Sequence, residues 1–176
     1  VLFEKSYLAG DFTLTAGRKS DYYFDCRQSS LNPEGAHLIG SIFFHMLRDM
    51  DVRAVAGMTM GADPLVTATS LAAFAEGRSL PALIVRKTPK GHGTGRSVEG
   101  LANVSQGDHV VMLEDVVSTG GSVVKACELV KEAGLVPVCV FCILNREEGA
   151  AETIEAAGYP LRSILTRNEL LALAGK

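Results

Sequence analysis

Four short apolar runs, separated by helical segments, place the strongest limit on how this chain can fold. The runs are rich in β-branched residues and carry few polar side chains, which is typical of strands buried on both faces of a sheet. Repeated alternation of strand and helix predicts an α/β fold with a central, mainly parallel sheet, right-handed crossovers and flanking helices. The runs are RAVAGM from Arg53, PALIVR from Pro81, HVVML from His109 and VPVCVFCIL from Val136.

Capping signals mark where the helices begin and end. Asn32 can cap a helix that starts at Pro33, and Thr166 with Glu169 forms a capping box before a last helix. The face of the first helix that is predicted to be buried consists of Ile39, Ile42, Phe43, Met46 and Leu47. Further helices are predicted from Asp63 to Gly77, from Ser122 to Ala133 and from Glu147 to Ala157.

The length and composition fit one domain that spans residues 1–176, because 47% hydrophobic residues can build a substantial core. The net charge of -3 argues against non-specific binding to nucleic acid or to a membrane, and no apolar segment is long enough to span one. The four cysteines lack the spacing of a secreted disulfide framework, so a cytoplasmic location is expected. Cys139 and Cys142 form a CxxC without a second ligand pair, and we expect buried thiols.

Two segments interrupt the alternation of strand and helix. Residues 10–30 mix aromatic and charged side chains, which predicts a small N-terminal flap outside the main sheet. Residues 87–100, KTPKGHGTGRSVEG, are rich in glycine and basic side chains and offer little to bury. This composition predicts a mobile loop.

The stretch MLEDVVSTGG, residues 112–121, combines two acids with a glycine loop at the end of a predicted strand. In parallel sheets ligands bind at the carboxyl ends of the strands, and a helix N-terminus with free backbone N–H groups suits a phosphate. Glu114 and Asp115 would be poor neighbours for an anion but good acceptors for sugar hydroxyls, so a sugar phosphate is indicated. The alternative interpretation is a tight glycine turn that the two acids merely cap.

This stretch resembles the loop that binds phosphoribosyl diphosphate (PRPP) in the type I phosphoribosyltransferases. The resemblance implies that Glu114 and Asp115 hold the ribose hydroxyls. It also implies that the 5′-phosphate is wrapped by Val116, Val117, Ser118, Thr119, Gly120, Gly121 and Ser122.

Two further segments, FTLTAGRKSDYYFDCR from Phe12 and VRKTPKGHGTGRSVEG from Val85, resemble the flap and the catalytic loop of the orotate-specific members of that family. The resemblance extends to GMTMGADP at Gly57 and LNREEG at Leu144. It implies transfer of the phosphoribosyl group from PRPP to orotate, giving orotidine 5′-monophosphate and pyrophosphate in pyrimidine biosynthesis. It also implies Mg²⁺ carried by PRPP, with no metal held directly by the protein, and a homodimer whose subunits share their active sites.

In this family, residues that match Arg86, Lys87, Lys90 and His92 contact the pyrophosphate, and Lys90 and His92 are the expected catalytic residues. Cations there can stabilise the negative charge that grows on the leaving group. Glycines in the same loop would let it open for exchange and close over the substrates. The alternative is a solvated basic loop without a catalytic role.

The resemblance places orotate against Arg146, Ser118, Tyr23 and Phe24. A guanidinium suits the orotate carboxylate, whereas the alternatives are a surface arginine and aromatic side chains that only fill the core. Thr15 and Gly61 stand where some relatives carry lysines, which leaves PRPP contacts open at these two positions. A phosphoribosyltransferase for another base, such as a purine, and a PRPP-binding regulator of the same fold are the alternative functions.

Overall fold

The computed structural model describes residues 1–13, 19–87, 97–173 and 175. In chain order the strands are β1 (Tyr7–Thr13), β2 (Lys19–Phe24), β3 (Ala54–Met58), β4 (Ala82–Val85), β5 (Val98–Glu99), β6 (His109–Val117), β7 (Val136–Asn145) and β8 (Leu161–Thr166). The helices are α1 (Leu2–Ser6), α2 (Arg27–Ser30), α3 (Pro33–Leu47), α4 (Asp63–Ala75), α5 (Gly121–Glu132), α6 (Ala150–Ala156) and α7 (Arg167–Leu173).

Six of the described strands form the central sheet, in the order β5-β4-β3-β6-β7-β8. Neighbouring strands are parallel except for β4 and β5, which pair antiparallel. The four apolar runs of the sequence form β3, β4, β6 and β7, so the predicted α/β fold with a mainly parallel central sheet is confirmed. The carboxyl ends of β3, β6 and β7 therefore meet along one edge of the sheet, where the acids of β6 lie.

The two outer strands of the sheet are not predicted by the sequence pattern. β5 consists of two residues at the end of the segment that was predicted as a loop over 87–100, and its Val98 is buried. β8 carries Arg162 and Ser163 in its middle, so it lacks the continuous apolar run that marks the inner strands. Both strands lie at the edges of the sheet, and their sequences indicate a strand only weakly.

An antiparallel ribbon of β1 and β2 lies outside the central sheet. It begins at Tyr7, three residues before the segment predicted as a flap over 10–30. Tyr22 and Phe24 at the end of β2 are buried in the same apolar cluster as Phe43 of α3 and Phe141 of β7. This packing fixes the end of β2 beside the carboxyl edge of the sheet.

The helix signals are confirmed with two corrections. Asn32 caps α3 by accepting the Gly35 N–H at 3.2 Å, but Ile42, predicted to be buried, is 38% exposed. The helix predicted from Glu147 begins only at Ala150, because residues 147–149 form a turn in which Glu147 and Gly149 have positive φ angles of 55° and 93°. That turn keeps the residues just after β7 at the edge of the sheet.

The capping box before α7 is confirmed, since the Thr166 N–H donates to the Glu169 carboxylate at 2.7 Å and the Glu169 N–H donates to Thr166 Oγ1 at 3.3 Å. Cys139 and Cys142 are free and buried, as predicted, and burial raises the pKa of both thiols. Within the described residues, no helix has both the length and the apolar character that crossing a membrane would require.

Candidate active site

A cleft of about 1070 Å³ lies over the carboxyl edge of the sheet. Its walls come from four parts of the chain, namely the end of β2 with α2, the turn after β3, the end of β6 with the start of α5, and the turn after β7. Of the residues predicted to form the site, it is lined by Tyr23, Phe24, Lys87, Glu114, Asp115, Val116, Ser118, Thr119, Ser122 and Arg146. Most of the predicted site residues that the structure describes therefore share one cavity.

The acid pair at the end of β6 is unusual because one carboxylate is buried. Glu114 is only 8% exposed, and its Oε1 accepts the Asp115 N–H at 3.3 Å. Burial, reinforced by the negative charge of Asp115, raises the pKa of Glu114 to about 8, while the positive charge of Lys87 acts in the opposite direction. Asp115 is less buried and its Oδ1 accepts the Val116 N–H at 2.8 Å. In the free protein the raised pKa thus favours the neutral form of Glu114 at pH 7.

The loop after the acids ends in a helix N-terminus that has no side-chain cap. Gly120 precedes α5 with a φ angle of 82°, and no side chain accepts a hydrogen bond from the first turn of the helix. A Cβ atom at Gly120 would lie 3.0 Å from Ile154 Cγ1 and 3.1 Å from the Ala150 carbonyl oxygen, so this tight packing and the left-handed φ angle together favour glycine there. Ser118, Thr119 and Ser122 line the cleft beside these N–H groups, which is the arrangement that an anion needs.

Not every residue of the predicted phosphate loop faces the cleft. Val117 is 3% exposed and packs in the core, and its carbonyl oxygen accepts the Arg146 N–H at 2.9 Å. Gly120 and Gly121 are also absent from the cleft lining. These three residues can shape the backbone of the loop, whereas the hydroxyl side chains of Ser118, Thr119 and Ser122 form its surface in the cleft.

Arg146 lies directly after β7, next to the end of β6. Its Nη2 is 3.2 Å from Glu148 Oε1, and both side chains are 15% exposed. The Arg146 guanidinium carbon is 6.0 Å from the centroid of the Tyr22 ring, so a cation–π contact supports it from one side. Among the described residues, nothing accepts a hydrogen bond from the buried Arg146 Nε.

The aromatic residues predicted near the base divide into two kinds. Phe24 is 7% exposed, belongs to the core cluster and reaches the cleft with part of its surface. Tyr23 is half-buried, and its ring centroid is 5.6 Å from that of Phe12. The neighbouring Tyr22, which the sequence interpretation did not select, is the aromatic residue that contacts Arg146.

Sequence reasoning missed a second arginine–carboxylate pair in the cleft. Arg27 donates from Nε to Asp25 Oδ1 at 2.8 Å and from Nη2 to Asp25 Oδ2 at 3.3 Å. The hydrogen bond from Arg27 lowers the pKa of Asp25 and raises that of Arg27. The signal was present in YFDCR, where an acid and a base two residues apart follow a strand, but it lay inside a segment interpreted only as a flap.

The turn after β3 forms the floor of the cleft beside Asp115. Thr59, Met60 and Gly61 line the cavity, and the peptide bond between Thr59 and Met60 is cis. A Cβ atom at Gly61 would lie 2.8 Å from Asp115 Oδ2. The absence of a side chain at position 61, where some relatives carry lysine, therefore lets this turn approach the acid pair closely.

The basic loop is only partly described. Lys87 is exposed and lines the cleft, whereas Arg86 lies outside the lining and pairs with Glu99 at 3.5 Å. Lys90, His92 and Thr15 lie outside the described residues. In the part of the chain that the structure describes, no group of three or more His, Cys, Asp or Glu side chains is placed to hold a metal ion.

Comparison with known proteins identifies relatives for most of the chain. A family model described as "Phosphoribosyl transferase domain" matches residues 28–159. A curated "Orotate phosphoribosyltransferase" from Rhodopseudomonas palustris (strain BisB18) is 44% identical over 173 residues, which cover 97% of this chain and 92% of the relative.

Two crystal structures of Mycobacterium tuberculosis H37Rv orotate phosphoribosyltransferase share the fold. The complex with Fe(III) dicitrate has a TM-score of 0.84 and 38% identity, and it covers 96% of this chain and 94% of the other. The complex with 5-phospho-α-D-ribosyl 1-diphosphate has a TM-score of 0.79 and 34% identity over 96% and 93% of the two chains.

Proposed function

Because the chain belongs to the orotate phosphoribosyltransferase family, we infer that it transfers the phosphoribosyl group of PRPP to orotate. The products are orotidine 5′-monophosphate and pyrophosphate, and the reaction belongs to pyrimidine biosynthesis. The names of the relatives favour orotate over the alternatives of another base or a regulatory role. The observation that carries the proposal is a single cleft in which an acid pair, an uncapped helix N-terminus and Arg146 face one another.

We propose that the donor binds along the edge formed by β6 and α5. The N–H groups of the first turn of α5 and the hydroxyls of Ser118, Thr119 and Ser122 bind the 5′-phosphate. Glu114 and Asp115 accept hydrogen bonds from the ribose hydroxyls. With its pKa raised to about 8, Glu114 can also donate a hydrogen bond to the sugar at neutral pH.

The acceptor binds beside the donor, at the end of β7, in this proposal. The orotate carboxylate lies against Arg146, with Tyr23, Phe24 and Ser118 around the ring. The N1–H proton of orotate leaves to solvent, and N1 forms a bond to C1′ of the ribose while the bond from C1′ to the diphosphate oxygen breaks and pyrophosphate departs with that electron pair. Lys87, Lys90, His92 and Arg86 stabilise the negative charge that accumulates on the departing pyrophosphate, with Lys90 and His92 as the catalytic residues.

The cleft suits a magnesium ion that arrives with PRPP better than a resident one. Two adjacent carboxylates are too few to hold Mg²⁺ alone, since this ion takes six oxygen ligands and is usually bound by one or two carboxylates together with substrate phosphates. We propose that Asp115 is the residue that faces the ion. When bound, the ion neutralises charge on the diphosphate, and no residue of the protein needs to hold it beforehand.

The direct test is to mix the protein with PRPP, Mg²⁺ and orotate and to follow the ultraviolet absorbance of orotate. The expected result is a PRPP-dependent loss of orotate absorbance, and its absence with well-folded protein would refute the proposed function. Lys90→Ala should lower kcat strongly without changing the melting temperature. Arg146→Met should raise KM for orotate much more than KM for PRPP, because the carboxylate loses its guanidinium.

We also propose that residues 1–176 act as one domain, with the flap over 10–30 and the loop over 87–100 closing on the cleft, and that two such chains form a homodimer with shared sites. Leu71 and Phe74 of α4, which are 64% and 76% exposed, are apolar candidates for the contact. A cytoplasmic location fits the four buried, unpaired cysteines.

A complementation experiment tests whether the sites are shared. Lys90→Ala and Arg146→Met are mixed, allowed to exchange subunits and assayed at an orotate concentration far below the KM of the Arg146 variant. This should restore about a quarter of the wild-type activity, because half of the dimers are mixed and each holds one intact site. Activity that stays at the level of the separate variants would mean that Lys90 acts within its own subunit.

A further inference from the structure

The ion pair of Arg146 and Glu148 is a feature of the cleft that the proposed roles leave unexplained. Arg146 Nη2 is 3.2 Å from Glu148 Oε1, and Glu148 itself lines the cleft. Both side chains are only 15% exposed, so the pair is shielded from most of the solvent. A negative charge beside the arginine that is proposed to bind an anion opposes that binding unless it serves another purpose.

The hydrogen bonds of Arg146 indicate what that purpose is. A guanidinium offers five N–H donors in a fixed plane, and Nη2 forms the ion pair with Glu148. Nε is buried and has no acceptor among the described residues. Because Nε is closed off from the cleft, a ligand carboxylate has to approach the other N–H groups of the guanidinium, on the part of Arg146 that lines the cleft.

Glu148 is itself held by a turn with several constraints. Glu147 has a φ angle of 55°, its N–H donates to Asn145 Oδ1 at 2.9 Å, and Gly149 follows with a φ angle of 93°. The Glu147 carboxylate accepts the Asn168 N–H at 3.0 Å and so joins the turn to α7. These contacts fix the backbone of Glu148 and therefore the side of the guanidinium from which it can approach.

We propose that Glu148 is a positioning residue for the acceptor base. It holds the Arg146 guanidinium through Nη2 in the orientation that presents the remaining N–H groups at the cleft surface to the carboxylate of orotate. In this proposal a side-chain oxygen of Glu148, at the distance from the backbone that a glutamate provides, orients the guanidinium, and the negative charge of Glu148 is not needed for it. This inference rests on the proposed function, since it assigns a partner to the residue that binds orotate.

Three substitutions separate length, charge and hydrogen bonding. Glu148→Gln keeps the length and the acceptor oxygen but removes the charge. Glu148→Asp keeps the charge on a side chain that is one methylene shorter, and Glu148→Ala removes both. Glu152→Ala, an exposed acid in the first turn of α6, is the matched control for loss of an acid near the site.

Steady-state kinetics with orotate and PRPP varied separately give the readout. We expect Glu148→Ala and Glu148→Asp to raise KM for orotate about tenfold, the effect of losing a charge-assisted contact. KM for PRPP should stay unchanged, and Glu148→Gln should keep the wild-type KM for orotate or a lower one. Glu152→Ala should match the wild type in both constants.

Several results would overturn the inference. These are an unchanged orotate KM in the Asp variant, a Gln variant as impaired as Asp, and PRPP and orotate constants that rise together. If the Ala variant does not fold, the Asp and Gln variants still decide the question. Wild-type protein that fails to consume orotate would refute the proposed function itself, whereas active wild type with an unaffected Glu148 series would refute only the role of Glu148.

Discussion

Replacing Glu114 by glutamine tests whether the acid pair of the candidate site destabilises the folded protein. Glu114 is 8% exposed, and burial together with the charge of Asp115 raises its pKa from 4.5 to about 8. The folded protein therefore retains a proton that the unfolded chain releases once the pH exceeds 4.5. This proton stabilises the folded state fully at pH values below the pKa of Glu114 in the unfolded chain. The stabilisation is lost as the pH rises through the pKa of Glu114 in the folded protein.

The size of the effect follows from the linkage between pKa and stability. Each pKa unit corresponds to about 1.4 kcal/mol, so a rise from 4.5 to about 8 corresponds to an upper limit of roughly 5 kcal/mol. Local rearrangement and water entry would lower this limit, and a loss of roughly 2 to 4 kcal/mol is the expected range. Glu114→Gln keeps the shape and the acceptor oxygen but cannot ionise. The free energy of unfolding of this variant should therefore lack the decrease with pH that ionisation of Glu114 causes.

Urea denaturation followed by far-ultraviolet circular dichroism is the suitable assay, because the chain contains no tryptophan. Wild type and Glu114→Gln should have similar free energies of unfolding near pH 5, and the variant should become the more stable protein as the pH approaches 8.5. Glu155→Gln, which changes an exposed acid on α6, should follow the wild type throughout. A difference between wild type and Glu114→Gln that does not change with pH would refute the assignment of a raised pKa.

Three further substitutions test the packing around α3 and the turn at the floor of the cleft. Arg78→Met should lower the free energy of unfolding by about 2 to 4 kcal/mol in urea titrations, because the Arg78 guanidinium donates to four carbonyl oxygens at the end of α3, those of Leu47, Arg48, Met50 and Val52. Gly40→Ala should lower the melting temperature and cost about 1 to 3 kcal/mol, since its Cβ would lie 2.6 Å from the Ala68 backbone of α4. Gly61→Ala should raise KM for PRPP, because its methyl group would lie 2.8 Å from Asp115 Oδ2 and would push the carboxylate aside. The loss of stability should be small, because Asp115 is partly exposed and can move.

The inner part of the fold could be predicted because its residues carry one dominant signal. β3, β4, β6 and β7 are buried on both faces or nearly so, and burial leaves continuous apolar runs in the sequence. β8 and β5 lie at the edges, where Arg162 and Ser163 can reach solvent and where two residues suffice to pair. Edge strands therefore give a mixed pattern that periodicity alone does not separate from a loop.

The site was predictable where neighbours in sequence are neighbours in space. Glu114, Asp115 and the loop before α5 follow one another along the chain, so their common position at the end of β6 could be predicted. The pairing of Tyr22 with Arg146 joins residues far apart in sequence, and no local pattern indicates it. Glu148 lies two residues from Arg146, but the turn that lets them pair depends on the positive φ angle of Glu147, a conformation that sequence rules assign mainly to glycine.

The charges of the described cleft explain how an acidic protein can bind two anionic substrates. Its lining contains the cations Arg27, Lys87 and Arg146 and the acids Asp25, Glu114, Asp115 and Glu148. Two of the cations are already paired with acids, and the raised pKa of Glu114 favours its neutral form at pH 7. Attraction by net charge is therefore weak in this part of the cleft, so in the proposed function binding depends on directed donors such as the N–H groups of α5 and the N–H groups of Arg146 at the cleft surface. Such donors discriminate by geometry, and we therefore expect a site with few unpaired cations still to distinguish a phosphate from a carboxylate.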